Sequence, residues 1–405
     1  MKDWFRFVGN NKRLLNFGFL FNFFSSYGQT FLISLFVPFW VISLNISNTE
    51  FGSLYAIITI ISAFILSLSG RFIDQMPLKK FGIIVFIGLI ISIIILSQAY
   101  SLPILVTGLL LVRLFGQGLM THTSSTGIAK HFDNNRGKAL GFTALGHPVG
   151  QFILPLVVVP LIALVGWRLS LLYMATAALL FIIPALWAIS PVTGFEPDIK
   201  NVHGLTSYTK SKYLKSFKFW IIATNIFVVP FICTALFLYQ YTIGQNKGWD
   251  ASWVAFSFAF YAVFNAVALL LSGSLVDRFS GIKLFPLYLI PTFIALILMS
   301  IIDNKWVFPL FYALLGISTG LGSTIKTAMQ VEVYGKNNLG KIRSYFSTIL
   351  VLSTALGPPA FGYFIDHNFS FNTIVQVFGV VVIIIMGLSF KLFNNKAPHT
   401  RGLVK

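Results

Sequence analysis

The sequence predicts an all-α integral membrane protein with twelve transmembrane helices arranged as two pseudo-symmetric six-helix bundles. Of its 405 residues 56% are hydrophobic and only 10% are charged. A soluble globule normally carries about a quarter of its residues as charged side chains, so a membrane protein is indicated. Apolar segments of spanning length recur along the whole chain, and a polar motif of the first half returns in the second.

Each predicted helix is an apolar segment of roughly 20 residues or more, the length that crosses the hydrocarbon of a bilayer. Leu, Ile and Phe dominate these segments without the alternation of a barrel strand. Helices are favoured because backbone groups in lipid must be satisfied within the segment. The predicted cores are 14–42, 51–69, 81–99, 103–126, 139–165, 169–190, 217–241, 251–271, 284–302, 306–328, 345–365 and 372–390.

The positions of Lys and Arg predict the orientation, because short loops rich in these residues stay in the cytoplasm. Only Arg168, Lys247 and Lys305 fall on predicted outer loops, and Arg113 and Lys326 fall within helices. We therefore expect a multi-pass protein of the cell (inner or plasma) membrane with both termini cytoplasmic. The net charge of +18 then reflects topology and contact with the lipid bilayer, and no nucleic-acid partner is predicted.

A repeat divides the chain into two halves. The loop that follows the second predicted helix contains Gly70, Asp74 and Lys80. The same three residue types recur 203 positions later as Gly273, Asp277 and Lys283. Duplicated halves around a central site are typical of carriers that rock between two states. We predict an N-terminal bundle at 1–190, a cytoplasmic linker at 191–215 and a C-terminal bundle at 216–405.

The repeated motif carries a family resemblance. GRFIDQMPLKK resembles the G-x-x-x-D-[RK]-x-x-x-[RK]-[RK] signature of the major facilitator superfamily of transporters, with Gln75 where a base is common. The similarity covers essentially the whole chain and implies transport by alternating access. We predict no enzyme activity, no cofactor and no metal site. It also implies that the motif forms a cytoplasmic latch, whose residues here are Gly70, Asp74, Lys79, Lys80, Gly273, Asp277, Arg278 and Lys283.

Two further stretches are similar to monocarboxylate porters and oxalate/formate antiporters. They are IAKHFDNNRGKALGFTALGHPVG from Ile128 and VEVYGKNNLGKIRSYFSTILVLSTALGPPAFGYFID from Val331. That group moves small organic anions, often with a proton or by exchange. Many of its members place an Asp and an Arg in helix 8, whereas Ala251 to Leu271 contains no charged residue here.

Polar side chains within the predicted helices are candidate functional groups, because they are costly in hydrocarbon. Arg113 shares a helical stripe with Gln117, and RLFGQG resembles the superfamily's helix-4 pattern, in which the arginine takes part in substrate or proton coupling. The alternative is a structural arginine that bonds carbonyls of a neighbouring helix. Lys326 lies in the corresponding helix of the second half, either as an anion-attracting group or with its amine reaching the inner interface.

The remaining candidates are neutral at physiological pH or titrate near it. His147 is the predicted proton carrier, since imidazole titrates near physiological pH and no predicted intramembrane carboxylate competes, although a packing role is equally open. Side chains that could bond substrate, or hold helices together, are Asn22, Gln29, Asn225, Tyr239, Gln240 and Asn265.

The charges of the predicted intramembrane residues indicate the class of substrate. A site with Arg, and with Lys326 as a second cation, but with no acid would leave a cationic substrate uncompensated. We predict a secondary active transporter of a small carboxylate-like anion, functional as a monomer, with proton symport, uniport and exchange all open. The alternatives are a drug or amphiphile efflux antiporter of the same fold, a non-transporting membrane sensor, or a lipid-modifying enzyme. An enzyme is disfavoured because no nucleophile–base pair, metal cluster or phosphate loop has credible spacing.

Overall fold

The structure, a computed structural model, describes residues 2–132, 135–188, 212–302, 304–335 and 339–394. Every regular element within these ranges is helical. The predicted linker at 191–215 lies outside the described residues except for a 3-10 turn at Lys212–Lys215. The predicted all-α class is confirmed.

The first half contains ten α-helices and three short helical segments of other types. The α-helices are α1 (Lys2–Asn10), α2 (Lys12–Ser25), α3 (Thr30–Ile33), α4 (Val37–Leu44), α5 (Asn48–Ser69), α6 (Leu78–Ser97), α7 (Leu102–Val112), α8 (Thr121–His131), α9 (Arg136–Ala144) and α10 (Gly146–Ala188). The other segments are 3-10 turns at Ser26–Gly28 and Gly70–Asp74 and a π-helix at Arg113–Met120.

The second half has longer and fewer helices. They are α11 (Phe217–Asn246), α12 (Ala251–Phe279), α13 (Gly281–Leu287), α14 (Ile290–Ile301), α15 (Val307–Tyr334), α16 (Leu339–Asp366) and α17 (Phe371–Asn394).

Ten helical stretches of the described residues are long and apolar enough to cross a membrane. One of them, 136–188, contains both the fifth and the sixth predicted spans, because the helix passes through a break at Gly166 with φ 79° and ψ 161°. Positive φ suits glycine, which has no Cβ to clash with the backbone. The first predicted span is not among the ten, because it is divided into α2, α3 and α4. These two features reconcile the ten stretches with the twelve-span architecture.

The break in the first span lies at Gly28 and Gln29. The 3-10 turn ends at Gly28, and Gln29 is extended with φ −84° and ψ 149° before α3 begins. A short α3 then gives way to α4, which has a proline in its first turn. Proline is tolerated there because first-turn N–H groups have no partner within the helix. The interruption leaves backbone N–H and C=O groups inside the first half without a partner in the helix.

The chain divides into two compact units that do not coincide with the sequence halves. The first unit contains 1–205 together with Ala235–Ala259 and Pro358–Asp366. The second contains Thr206–Thr234, Phe260–Gly357 and His367–Lys405. The ends of α11, α12 and α16 therefore pack with the first half of the sequence.

Apolar side chains fill the interior of the first unit and also cover much of its outside. Phe17, Phe51 and Tyr55 are fully buried, whereas Phe64 is 66% and Leu164 81% exposed. Large exposed apolar side chains recur on both units. A surface of this kind suits lipid rather than water.

Candidate functional site

Arg113 is a buried cation at the start of the π-helix in the fourth span. Its side chain is 5% exposed. Nη1 donates to the Tyr55 hydroxyl at 2.6 Å and makes longer contacts with Thr30 Oγ1 at 3.4 Å and the Gly28 carbonyl at 3.5 Å. The guanidinium also lies 4.8 Å from the centre of the Tyr55 ring. The first, second and fourth spans thus meet at one guanidinium.

The broken first span and the π-helix fit together through glycine. A Cβ on Gly116 would come within 2.8 Å of the Gly28 nitrogen, and one on Gly28 within 2.5 Å of the Gln117 nitrogen. Only residues without side chains allow two backbones to approach this closely. The contact sets the break beside the wide turn that carries Arg113, and π-turns are frequently found at functional sites.

The guanidinium has no acidic partner among the described residues. All of its hydrogen bonds there leave from Nη1 and go to neutral oxygens. Nε is buried and makes no hydrogen bond to any residue that the structure describes. A buried charge is normally paired, so the Nε–Nη2 edge is an incomplete site.

Two predicted amides border this cluster. Gln29 follows Gly28 directly, and the backbone of Gln117 lies against Gly28. Both residues are partly buried, and the described residues provide no hydrogen-bond partner for either side chain. The structure therefore brings Gln29 and Gln117 to the same helix break as Arg113.

His147 lies in the same unit. Its ring makes an edge contact with Phe31, with centroids 6.3 Å apart, and Phe31 belongs to α3 just beyond the break. The residue is partly buried, and among the described residues its nitrogens have no hydrogen-bond partner. An imidazole in this position can accept or release a proton without first breaking a protein hydrogen bond.

Asn22 and Asn225 occupy matching positions in the two halves, and both are buried. The Asn22 amide donates to Ser124 Oγ at 2.8 Å and to the Thr143 carbonyl at 2.9 Å. The Asn225 amide donates to Ser389 Oγ at 2.9 Å and accepts from the Tyr288 hydroxyl at 2.8 Å. Both side chains join helices within their own unit.

Tyr239 and Gln240 of α11 donate hydrogen bonds to residues of the first half of the sequence, within the first unit. The Tyr239 hydroxyl donates to the Asn48 carbonyl at 2.6 Å. The Gln240 amide donates to Ser34 Oγ at 2.8 Å and to the Phe31 carbonyl at 3.3 Å. These contacts tie the end of α11 to the first span and to the start of α5.

Asn265 and Lys326 belong to the second unit. The Asn265 amide donates to Thr319 Oγ1 at 2.7 Å, where Gly316 lets α12 and α15 approach closely. Lys326 is partly buried, and its amine lies 5.7 Å from the centre of the Tyr288 ring. No carboxylate of the described residues pairs with that amine.

The two copies of the repeated motif are held differently. In the first copy Asp74 pairs with Lys130 at the end of α8, and the Gly70 carbonyl contacts His122 Nε2 at 3.0 Å. In the second copy Glu332 of α15 accepts from the Gly281 and Ile282 N–H groups at 2.7 and 2.9 Å. The other motif side chains are at least partly exposed and form no ion pair within the described ranges, namely Lys79, Lys80, Asp277, Arg278 and Lys283, and Gly273 has open space around it.

Sequence reasoning did not identify Tyr55, Thr30, Lys130 or Glu332 as contact residues of these sites. Tyr55 lies in an apolar helix where one more aromatic gives no signal. The sequence marks Lys130 only as a basic residue near a helix end.

Among the described residues no group of three or more His, Cys, Asp or Glu side chains could hold a metal.

Twelve apolar spans in two related halves, with a buried cation beside a broken helix, define a membrane carrier. The chain belongs to the major facilitator superfamily, whose sequence profile matches residues 18–260 and 234–404. It is therefore a membrane transporter of the alternating-access type. The finer assignment to monocarboxylate porters and oxalate/formate antiporters stays a prediction.

Solved structures share this fold at low sequence identity. A bacterial homolog of the human lysosomal transporter Spinster, in an inward-facing and occupied conformation, has 15% identity and a TM-score of 0.70 over 95% of this chain and 96% of that one. The nucleoside transporter NupG, as a point mutant, has 11% identity and a TM-score of 0.75 over 94% and 98%. No curated protein matches the sequence.

Proposed function

We propose that this transporter carries a small organic anion with a carboxylate group, and that Arg113 binds that group. The observation that carries the proposal is the buried guanidinium whose Nε has no partner and whose neighbours are neutral. A carboxylate can accept two parallel hydrogen bonds from the Nε–Nη2 edge, which is the preferred geometry for arginine. A cation or a neutral solute would leave the charge uncompensated.

The proposed binding set in the first unit is Arg113 with Gln29 and Gln117. Both glutamines lie at the same helix break, and their amides make no hydrogen bond within the described residues. Asn22, Asn225, Tyr239, Gln240 and Asn265 already bond protein partners, so we assign them to helix packing in the conformation described here. Lys326 is proposed as a second attractant for anions, because its amine has no acidic partner in the described ranges.

The proposal also covers the coupling of transport to protons and the orientation in the membrane. His147 is proposed as the proton carrier, and exchange of one anion for another is the alternative mode of transport. The Lys and Arg distribution supports cytoplasmic termini in a cell membrane, and the repeated motif supports a latch on that side. We propose that the monomer is the transporting unit, with domains at 1–190 and 216–405 joined by the 191–215 linker.

Uptake into proteoliposomes tests the substrate class. The probes are radiolabelled acetate, lactate, pyruvate and succinate, with choline and glycerol as cationic and neutral references. Wild-type protein should take up at least one carboxylate, and Arg113→Gln should abolish that uptake. Arg168→Gln is the matched control, because the Arg168 guanidinium lies between the Tyr100 and Trp167 rings at 3.9 and 4.1 Å and has no role in the proposed site.

The result that would overturn the proposal is carboxylate uptake that survives Arg113→Gln, or transport of choline or glycerol in place of every carboxylate. Thermal melting of each variant must match wild type, so that a misfolded protein is not taken for an inactive one. Ligand binding without any flux would instead support a membrane sensor.

A further inference from the structure

We propose that Tyr55 is a positioning residue that orients the Arg113 guanidinium for its anion. Tyr55 does not itself meet the substrate in this proposal. It holds Nη1, so that the Nε–Nη2 edge is the edge left for a ligand. The role toward a carboxylate rests on the proposed function, whereas the orientation of the guanidinium can be measured without any substrate.

The Tyr55 side chain is itself immobilised. It is fully buried, and its ring stacks on the Phe51 ring with an interplanar angle of 24°. Its hydroxyl accepts from Arg113 Nη1 at 2.6 Å and lies 2.8 Å from Thr30 Oγ1. Because the oxygen accepts from a cation, the hydroxyl proton is free to be donated to Thr30.

Thr30 links this orientation to the broken span. It is the first residue of α3 and follows the extended Gln29. The chain of hydrogen bonds therefore runs from the π-helix through α5 to the break itself. If the break moves during transport, the guanidinium turns with it.

The hydrogen bond matters because an arginine side chain has many rotamers. A bidentate contact with a carboxylate needs both donors in one plane, and a free side chain loses entropy when it adopts that plane. A bond from a charged donor is among the stronger hydrogen bonds of a protein interior. The hydrogen bond to Tyr55 thus holds the guanidinium in a single orientation before the anion binds.

Tyr55→Phe is the direct test, since it removes the hydroxyl and keeps the buried ring. Tyr241→Phe is the matched control, because the Tyr241 hydroxyl is buried and has no hydrogen-bond partner in the described part of the chain. The first measurement is the 15N spectrum of arginine side chains in purified protein, with Arg113 assigned from Arg113→Lys. Wild type and Tyr241→Phe should show separate Nη1 and Nη2 signals, and Tyr55→Phe should average them.

The second measurement is uptake of the carboxylate probe that wild type transports. Tyr55→Phe should raise its KM about tenfold while Vmax changes little, the size expected for one hydrogen bond to a charge. Thr30→Val should shift KM in the same direction, and it stands in if Tyr55→Phe does not fold. Thr59→Val is the control for Thr30→Val. Thr59 lies on the same helix as Tyr55, and its hydroxyl is buried and has no hydrogen-bond partner among the described residues.

Unaveraged Nη signals in both Tyr55→Phe and Thr30→Val would overturn the positioning role, whatever the substrate. An unchanged KM with averaged signals would also overturn it, because orientation would then not matter for binding. If no carboxylate is taken up by wild type, the proposed function fails, and averaged signals would still show that Tyr55 orients Arg113.

Discussion

Thr49 donates both its backbone N–H and its hydroxyl to one oxygen of the Asp366 carboxylate, at 2.7 and 2.5 Å. The other oxygen accepts from the N–H and the side-chain amide of Asn48, at 3.1 and 3.0 Å. Asp366 ends α16, while Asn48 and Thr49 begin α5. A carboxylate at this place complements both the unpaired N–H groups and the dipole of α5.

This contact is the centre of a clasp formed by Asp366, Asn48, Thr49, Tyr239 and Gln240, all in the first unit. The Tyr239 hydroxyl donates to the Asn48 carbonyl, and the Gln240 amide donates to Ser34 Oγ of the first span. The clasp joins segments from the two sequence halves. Alternating access requires such contacts to break when the carrier opens on that side.

We expect Asp366→Asn to favour opening at the clasp, because the amide has no charge and only one strong acceptor atom. Opening can be measured as maleimide labelling of Ser34→Cys, a buried position that bonds Gln240, in a Cys233→Ser background. Labelling should be about tenfold faster in Asp366→Asn, as expected for the loss of a charged hydrogen bond.

Glu50→Gln is the matched control for the clasp. The Glu50 carboxylate accepts only from the Ser47 N–H, in a local cap of the same helix. It should leave the labelling rate near wild type. Equal acceleration in both variants would mean that helix capping, rather than the link to α16, holds this region closed.

Gly28→Ala should destabilise the protein, because the new methyl group would collide with the Val112 carbonyl and with the Gln117 nitrogen. Backbone atoms cannot move aside as a flexible side chain can. The cost should be about 1–3 kcal/mol, in the range of other overpacked sites. The measurement is the melting temperature of purified protein in detergent.

Gly141→Ala serves as the control for Gly28→Ala, since nothing lies within 4 Å of the position where its Cβ would be. Alanine is the better helix former, so this variant should melt at or slightly above the wild-type temperature. A Gly28→Ala variant as stable as Gly141→Ala would contradict the close packing at the helix break.

His147→Gln tests proton coupling. If His147 carries the proton, the variant should lose accumulation driven by an imposed pH gradient and retain exchange of labelled for unlabelled carboxylate. The reason is that glutamine fills a similar space but does not titrate near neutral pH.

His131→Gln controls for the general effect of removing an imidazole, because His131 is exposed at the end of α8. It should accumulate substrate as wild type does. Gradient-driven accumulation that persists in His147→Gln would exclude His147 as the proton carrier.

The sequence was sufficient to predict the helical class and the positions of the spans, because hydrophobicity over about 20 residues is a local property. Interruptions within spans were harder to predict. The break at Gly28 depends on the packing of that backbone against Gly116, which lies far away in the chain. The π-helix at Arg113 likewise has no distinctive composition.

The candidate site, too, could be predicted only in part from the sequence. Arg113 stood out because a charge in an apolar segment is rare, and the structure places its side chain in a buried position. Its contact with Tyr55 depends on which residues of α5 face the fourth span, and a nearly uniformly apolar helix does not reveal this. Asp366 follows directly after the predicted span at 345–365, but its four hydrogen bonds depend on the approach of α16 to α5.

The junction at Gly166 has a practical consequence for work on this protein. The fifth and sixth spans follow each other through a single glycine with no intervening loop. That end of the helix pair presents no free polypeptide to a protease or an antibody, and a peptide tag inserted there would have to force two helices apart. Affinity reagents are better raised against other surfaces of the molecule.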